Sequence, residues 1–171
     1  MSPSLKKTCS LVVFFISWFL MVFLLHNKLD LYLYPLFLSA LAFQWYIYKF
    51  NFKYFIVMTV TGTLGWTLEG FEGVMGLLYI SGQIWPPLWL LLLWAYFSSV
   101  TFLALGTILN RPWKSFLYGV YSLPGSYYLV SKLGIVEFGE PFVTALVVNG
   151  TIGGLVLMIC HLMLYSYYKF S

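Results

Sequence analysis

Charge is scarce in this chain. Only 8% of its 171 residues are Asp, Glu, Lys or Arg, five acids and nine bases in all. A soluble domain carries about 25%, so this one cannot cover a water-facing surface, and a soluble globular domain is excluded. Cysteine is scarce too: Cys9 and Cys160 stand far apart, in or beside apolar runs, with no Cys-x-x-Cys and no Cys/His spacing. A disulfide framework, a zinc module and a dithiol redox site therefore lack their residues, and both cysteines read as small apolar side chains. Gly-rich phosphate loops and nucleophile–base motifs are missing as well. No cofactor or metal is implied. No polar linker divides the chain, so 1–171 reads as one integral membrane domain.

What is present is apolar: 61% of residues are hydrophobic and 22% aromatic. A helical span needs about 20 mostly apolar residues, and six runs qualify, at about 9–25, 31–48, 53–80, 86–109, 115–131 and 142–168. The expected fold is all-α, a polytopic membrane helix bundle with six transmembrane helices. The first run follows Lys6-Lys7 and closes on Leu24-Leu25-His26-Asn27-Lys28 without a small-x-small cleavage pattern, so it reads as an uncleaved anchor. Pro35 falls in the first turn of the second run, and Pro86-Pro87 opens the fourth, both places that tolerate a missing N–H. Pro124-Gly125 should kink or break the fifth. No internal repeat is visible.

The net charge of +4 does not form a phosphate-binding stripe, and nucleic acid is not expected as a partner. With six spans and both ends on one side, that side collects Lys6, Lys7, Lys49, Lys53, Arg111, Lys114 and Lys169; the other collects Lys28 and Lys132. Positive charge marks the cytoplasmic side, so both termini are expected in the cytoplasm. Asp30, Glu137 and Glu140 then fall outside. Trp45, Tyr46 and Tyr48, Trp85 and Trp89, and Tyr165, Tyr167 and Tyr168 cluster near run ends, as interfacial aromatic belts do.

Two acids break this pattern. Glu69 and Glu72 lie inside the third run, in Gly65-Trp66-Thr67-Leu68-Glu69-Gly70-Phe71-Glu72-Gly73-Val74-Met75-Gly76. An ionisable group at the bilayer centre costs about 2.5–3.5 kcal/mol on insertion scales, so an intramembrane carboxyl reads as functional by default. The i, i+3 spacing puts both on one helix face. Two carboxyls so close in low dielectric do not both ionise readily, and at least one is expected to hold a proton, as a general acid or proton carrier must. Gly70, Gly73 and Gly76 let a helix or ligand approach. The bland alternative is that the pair only ties helices together.

Counted from Ile80, Glu72 lies roughly 12 Å deep and Glu69 roughly 16 Å; counted from Pro141, Asn149 lies roughly 12 Å deep. Tyr127, Tyr128 and Trp89 fall in the same half, with Gln83 on the rim. Glu69 as catalytic carboxyl, with Glu72, Asn149, Tyr127, Trp89 and Trp66 as ligand-binding neighbours, should converge on one outward-facing pocket. His161 lies too far inward to share a metal with Glu69 and reads as hydrogen-bonded to a neighbouring helix. Gly150-x-x-x-Gly154 reads as close helix packing.

Three features together resemble the bacterial inner-membrane domain-of-unknown-function family 2878. They are Gly65-x-x-x-Glu69; Pro87-Leu88-Trp89 with Trp94; and Gly119 followed by Pro124-Gly125-Ser126-Tyr127 and Leu133-Gly134. They cover about Gly62 to Gly139. Family members more often have aspartate at the position of Glu69, and Glu72 is outside the family pattern. Members tend to be encoded near lipid-modifying enzymes similar to cyclopropane-fatty-acid synthase, so the resemblance implies work on, or help to, membrane lipid modification.

The leading expectation is a protein that binds a lipid-like or apolar molecule around Glu69, as an accessory factor in lipid modification. Membrane lipids would be its ligands, and a second copy or a lipid-modifying enzyme its protein partner. The alternatives are a membrane-embedded enzyme with Glu69 as general acid/base on an apolar substrate, and a small proton-coupled transporter.

Overall fold

Among the described residues of the computed structural model (2–49, 52–80, 82–106 and 109–169), six α-helices follow the six apolar runs. They are α1 (Pro3–His26), α2 (Leu33–Tyr48), α3 (Phe52–Val74), α4 (Trp89–Leu105), α5 (Pro112–Ser131) and α6 (Phe142–Lys169). Lys53 and residues 165–169 are described by backbone alone, so the Tyr165, Tyr167 and Tyr168 end of the aromatic belt lies outside the described side chains.

The helix starts follow local chemistry. The Ser2 hydroxyl caps α1 by accepting from the Leu5 N–H at 3.3 Å, with Pro3 at the first helical position. Pro112 opens α5 in the same way. Pro124 does not break α5, which runs unbroken from Pro112 to Ser131. The backbone N–H missing at Pro124 would have bonded the Val120 carbonyl. That carbonyl lies against Gly150 of α6, where a β-carbon would come within 2.8 Å of it.

Helix α3 ends earlier than the sequence predicts. The apolar run continues to Ile80, but the helix stops at Val74. Gly76 takes φ +72°, its N–H reaches back to the Gly73 carbonyl at 3.0 Å, and the Leu77 N–H reaches the Glu72 carbonyl at 2.8 Å. This double bond pattern around a left-handed glycine is a Schellman stop. Helix α5 ends identically: Gly134 has φ +69°, Gly134 N–H bonds Ser131 and Ile135 N–H bonds Val130. Each stop feeds a short strand, β1 (Leu78–Ile80) and β2 (Val136–Phe138). The strands pair antiparallel, centred on Tyr79 opposite Glu137.

The two helix–stop–strand units are related locally by a two-fold. Gly134 follows Gly76 by 58 residues, and Glu137 follows its partner Tyr79 by the same 58. A contact between equivalent residues lies on such an axis. The sequence shows no repeat because the equivalence is one of backbone conformation, not of side chains.

Helix α4 is the hub. It packs against α1, α2 and α3, and Trp94, Tyr96, Ser98 and Thr101 are among its buried residues. Gly65 of α3 lies directly beneath the Trp94 ring, closer than any β-carbon would permit. Helices α5 and α6 meet backbone to backbone at Gly119 and Gly153, with Gly150 and Gly154 in the same seam. Helix α1 is tied to α2 by the Ser10 hydroxyl, which donates to Gln44 Oε1 at 2.9 Å.

The bundle is apolar inside and out. Leu33, Phe37, Leu90 and Leu157 are buried together with the polar Ser10, Ser17, Gln44, Thr61, Glu69, Glu72, Ser115 and Asn149, while Phe19, Leu38, Phe71, Leu129 and Val147 are exposed. Among the described residues two helices, Pro3–His26 and Phe142–Leu164, are long and apolar enough to cross a membrane, and Trp89–Leu105 is a shorter apolar helix.

Candidate functional site

The polar side chains that the sequence singles out meet near the ribbon end of the bundle. Glu69, on the penultimate turn of α3, is 2% exposed and accepts a hydrogen bond from the Tyr127 hydroxyl of α5. This pair also joins residues 58 apart, on the local two-fold. One turn on, Glu72 is fully buried and accepts from the Asn149 amide of α6 at 3.0 Å. The i, i+3 spacing thus points the two carboxyls at different helices, each with its own donor.

Both pairs are only half satisfied. Glu69 Oε2, Glu72 Oε1 and Asn149 Oδ1 are buried without a protein partner. The Trp94 indole N–H lies near Glu69 outside hydrogen-bond geometry and is itself unpartnered. No Lys, Arg or His among the described residues bears on either carboxyl. An unpaired charge is costly in such a place, so the site is an uncompensated acid cluster and not an ion pair.

The depths are shallower along the helix than counting from Ile80 implies. Because α3 stops at Val74, Glu72 is in its last turn, and the folded-back Leu77 and strand β1 supply the cover that helix was expected to give. The Gly139 N–H bonds the Leu77 carbonyl at 2.9 Å and seals the ribbon over the helix ends.

Not every expected neighbour joins the carboxyls. The Trp66 indole donates to the Pro86 and Pro87 carbonyls at 2.9 and 3.2 Å and meets Trp85 edge-on, fastening the α3–α4 connection. Trp89 is buried against Phe37 of α2. Tyr128 faces outward beside Lys132, and Gln83 is in an exposed loop. His161 bonds the Ser115 hydroxyl at 3.2 Å and packs on Phe102. Among the described residues no three His, Cys, Asp or Glu side chains gather as metal ligands.

A cavity adjoins the carboxyls from the side. Tyr127, which holds Glu69, also lines a void of about 70 Å³ with Trp94, Ser122, Trp18 and Val130. The void continues into a groove of about 520 Å³ between α1 and α5, floored by α4. Phe14, Trp18, Phe97, Ser122 and Ser126 line both. Ser122 Oγ is buried and unpartnered. Trp94 and Ser122 were not singled out as site residues from the sequence. The available signal was Ser122-x-x-x-Ser126, two hydroxyls on one face of an otherwise apolar helix.

Fold and site together define an all-helical bundle with a buried, uncompensated carboxyl pair beside a side cavity. The chain belongs to the family described as protein of unknown function (DUF2878), which it matches over residues 7–159. No curated protein and no solved structure matches it.

Proposed function

We propose that this is a six-span protein of the bacterial inner membrane that binds a lipid-like molecule in the cavity beside Glu69. The exposed apolar faces of the bundle support the membrane setting, because lipid solvates faces such as Phe15, Phe19 and Phe23 of α1 at low cost. The ends of the bundle support the orientation. Lys28, Lys132, Asp30, Glu137 and Glu140 lie at the ribbon end, and Lys49, Arg111 and Lys114 at the other. With positive charge inside, the ribbon end is periplasmic and both termini are cytoplasmic.

One observation carries the binding role: Tyr127 lines the cavity and bonds Glu69, so the carboxyl lies directly behind the cavity wall. The apolar, aromatic lining selects an apolar molecule. The resemblance to proteins encoded beside lipid-modifying enzymes supports an accessory role, presenting a lipid to such a partner. The buried, unpartnered Glu69 Oε2 favours a second reading, in which that oxygen acts as general acid/base on an apolar substrate.

The test compares membrane lipids, by mass spectrometry, in cells with wild type, a deletion and Glu69→Gln at equal protein level. The same lipid species should change in the deletion and in Glu69→Gln. A deletion that alters lipids while Glu69→Gln does not removes the carboxyl from the function. No change in either sinks the lipid reading and moves transport of another solute ahead.

A further inference from the structure

The groove between α1 and α5 opens sideways. Backbones approach closely at α1–α4, α3–α4, α3–α6 and α5–α6 but less so at α1–α5 and α4–α5, where Phe97 of α4 stacks on Tyr118 of α5 with ring centroids 6.2 Å apart. The rim residues Phe15 and Phe19 on α1 and Leu129 on α5 are exposed. The opening therefore faces the surroundings of the bundle, which in a bilayer are acyl chains. From Tyr118 to Val130 the lining follows α5 for roughly 18 Å, and on α4 it reaches Leu105, the last residue of that helix, so the groove runs from the ribbon side past mid-depth.

The lining also constrains chemistry. No charged side chain lines the void or the groove. Glu69 and Glu72 lie just behind the wall and disfavour an anion. Two residues of the void lining nevertheless carry unmet polar groups: the Trp94 N–H, a donor only, which lies beside Glu69 outside hydrogen-bond geometry, and the Ser122 hydroxyl. A pure hydrocarbon leaves both unpaired, whereas an oxygen acceptor satisfies them.

We propose that the α1–α5 groove admits, laterally from the leaflet on the ribbon side, one uncharged acyl chain whose carbonyl oxygen lodges at Trp94 and Ser122. The inference rests on the binding role above and adds the ligand class and its route. The chain lies along Phe14, Phe15, Phe19, Phe97 and Leu129, and its ester end sits against Tyr127. The headgroup stays outside the groove.

The full chain, reconstituted in phosphatidylethanolamine–phosphatidylglycerol vesicles, is irradiated with a trace of phospholipid bearing a diazirine in one acyl chain, and the adducts are mapped by peptide. Adducts should concentrate on the facing sides of α1 and α5. Ser126→Trp, which fills the groove, should lower them severalfold, while Tyr121→Trp on the outer face of α5 should not. Trp94→Phe should weaken competition by an unlabelled acyl ester about fivefold, the value of one hydrogen bond, and leave competition by an alkane unchanged. Adducts spread evenly over all six helices in the wild type overturn the groove, with no variant needed. Equal loss of ester and alkane competition in Trp94→Phe overturns the carbonyl contact. A clear α1–α5 map with cellular lipids indifferent to Glu69→Gln leaves the groove standing and removes the carboxyl's role; an even map with lipids sensitive to Glu69→Gln does the reverse.

Discussion

At the residue scale, the two glutamates do different work although they share a helix face. Glu72 and Asn149 are sealed between α3 and α6, so their bond is structural glue of the kind polar groups supply between helices in lipid. Asn149→Leu strands the Glu72 carboxyl without a donor and is expected to cost about 1–3 kcal/mol, read as a fall in Tm in detergent. Glu72→Met alone strands the Asn149 amide and should cost a similar amount. The double variant removes both unpaired groups and should recover most of the loss, giving a coupling that a double-mutant cycle measures. Additive losses would show that the pair is not coupled. Glu69 differs because its partner also walls the cavity. Tyr127→Phe should lower stability by only about 0.5–2 kcal/mol, the range for one interhelical hydrogen bond in a bilayer. It should nevertheless change the same lipid species as Glu69→Gln if the phenol relays the carboxyl to the ligand.

At the element scale, glycine position decides which helices are allowed to touch. A β-carbon at Gly119 would overlap the Gly153 carbonyl, whereas one at Gly125, six residues on along α5, meets nothing within 4 Å. Gly119→Ala must push α5 off α6 and should cost at least about 1–3 kcal/mol. Gly125→Ala should be neutral or gain up to about 1 kcal/mol of helix propensity. Equal Tm values for the two would refute the close seam. Gly134→Ala places a side chain at φ +69° and should cost about 1–2 kcal/mol. The helices themselves were legible in the sequence, because each needs only a long apolar run with proline or polar residues at its ends. The ribbon was not. Leu78–Ile80 continues the apolar run of α3, and the only local sign of a stop is Gly76. The matching order Gly76-Leu77-Leu78-Tyr79-Ile80 and Gly134-Ile135-Val136-Glu137-Phe138 becomes meaningful once the strands are seen to pair. Of the site, depth counting brought Glu69, Tyr127, Glu72 and Asn149 to one level, but it carries no azimuth. It could not show that Trp66 and Trp89 turn to Pro86 and Phe37 instead.

At the scale of the whole molecule, the local two-fold and the cavity are two sides of one arrangement. The axis relates the end of α3 to the end of α5 through the paired stops and strands. On one side the Glu72–Asn149 bond ties α3 to α6; on the other the cavity lies between α1, α4 and α5, beside the Phe97–Tyr118 stack. Val130 holds the place in α5 that Glu72 holds in α3, 58 residues apart, and an apolar side chain there offers no such bond. The lateral opening proposed above lies on the side of α5 where Val130 stands. Its use depends on which leaflet the ribbon end faces, and that is measurable. In a chain whose Cys9 and Cys160 are replaced by alanine, Lys132→Cys at the ribbon end should react with a membrane-impermeant maleimide in intact spheroplasts. Lys114→Cys, at the start of the same helix, should react only after permeabilisation. The reverse pattern would turn the ribbon to the cytoplasm and hand the groove to the inner leaflet. Labelling of both from one side would mean that α5 does not cross at all, and the six-span arrangement would fall with it. α5 is the informative helix for this measurement. Its 20 residues rise roughly 30 Å, just the thickness of the hydrocarbon core, but unlike α1 and α6 it is not among the helices apolar enough to cross by composition.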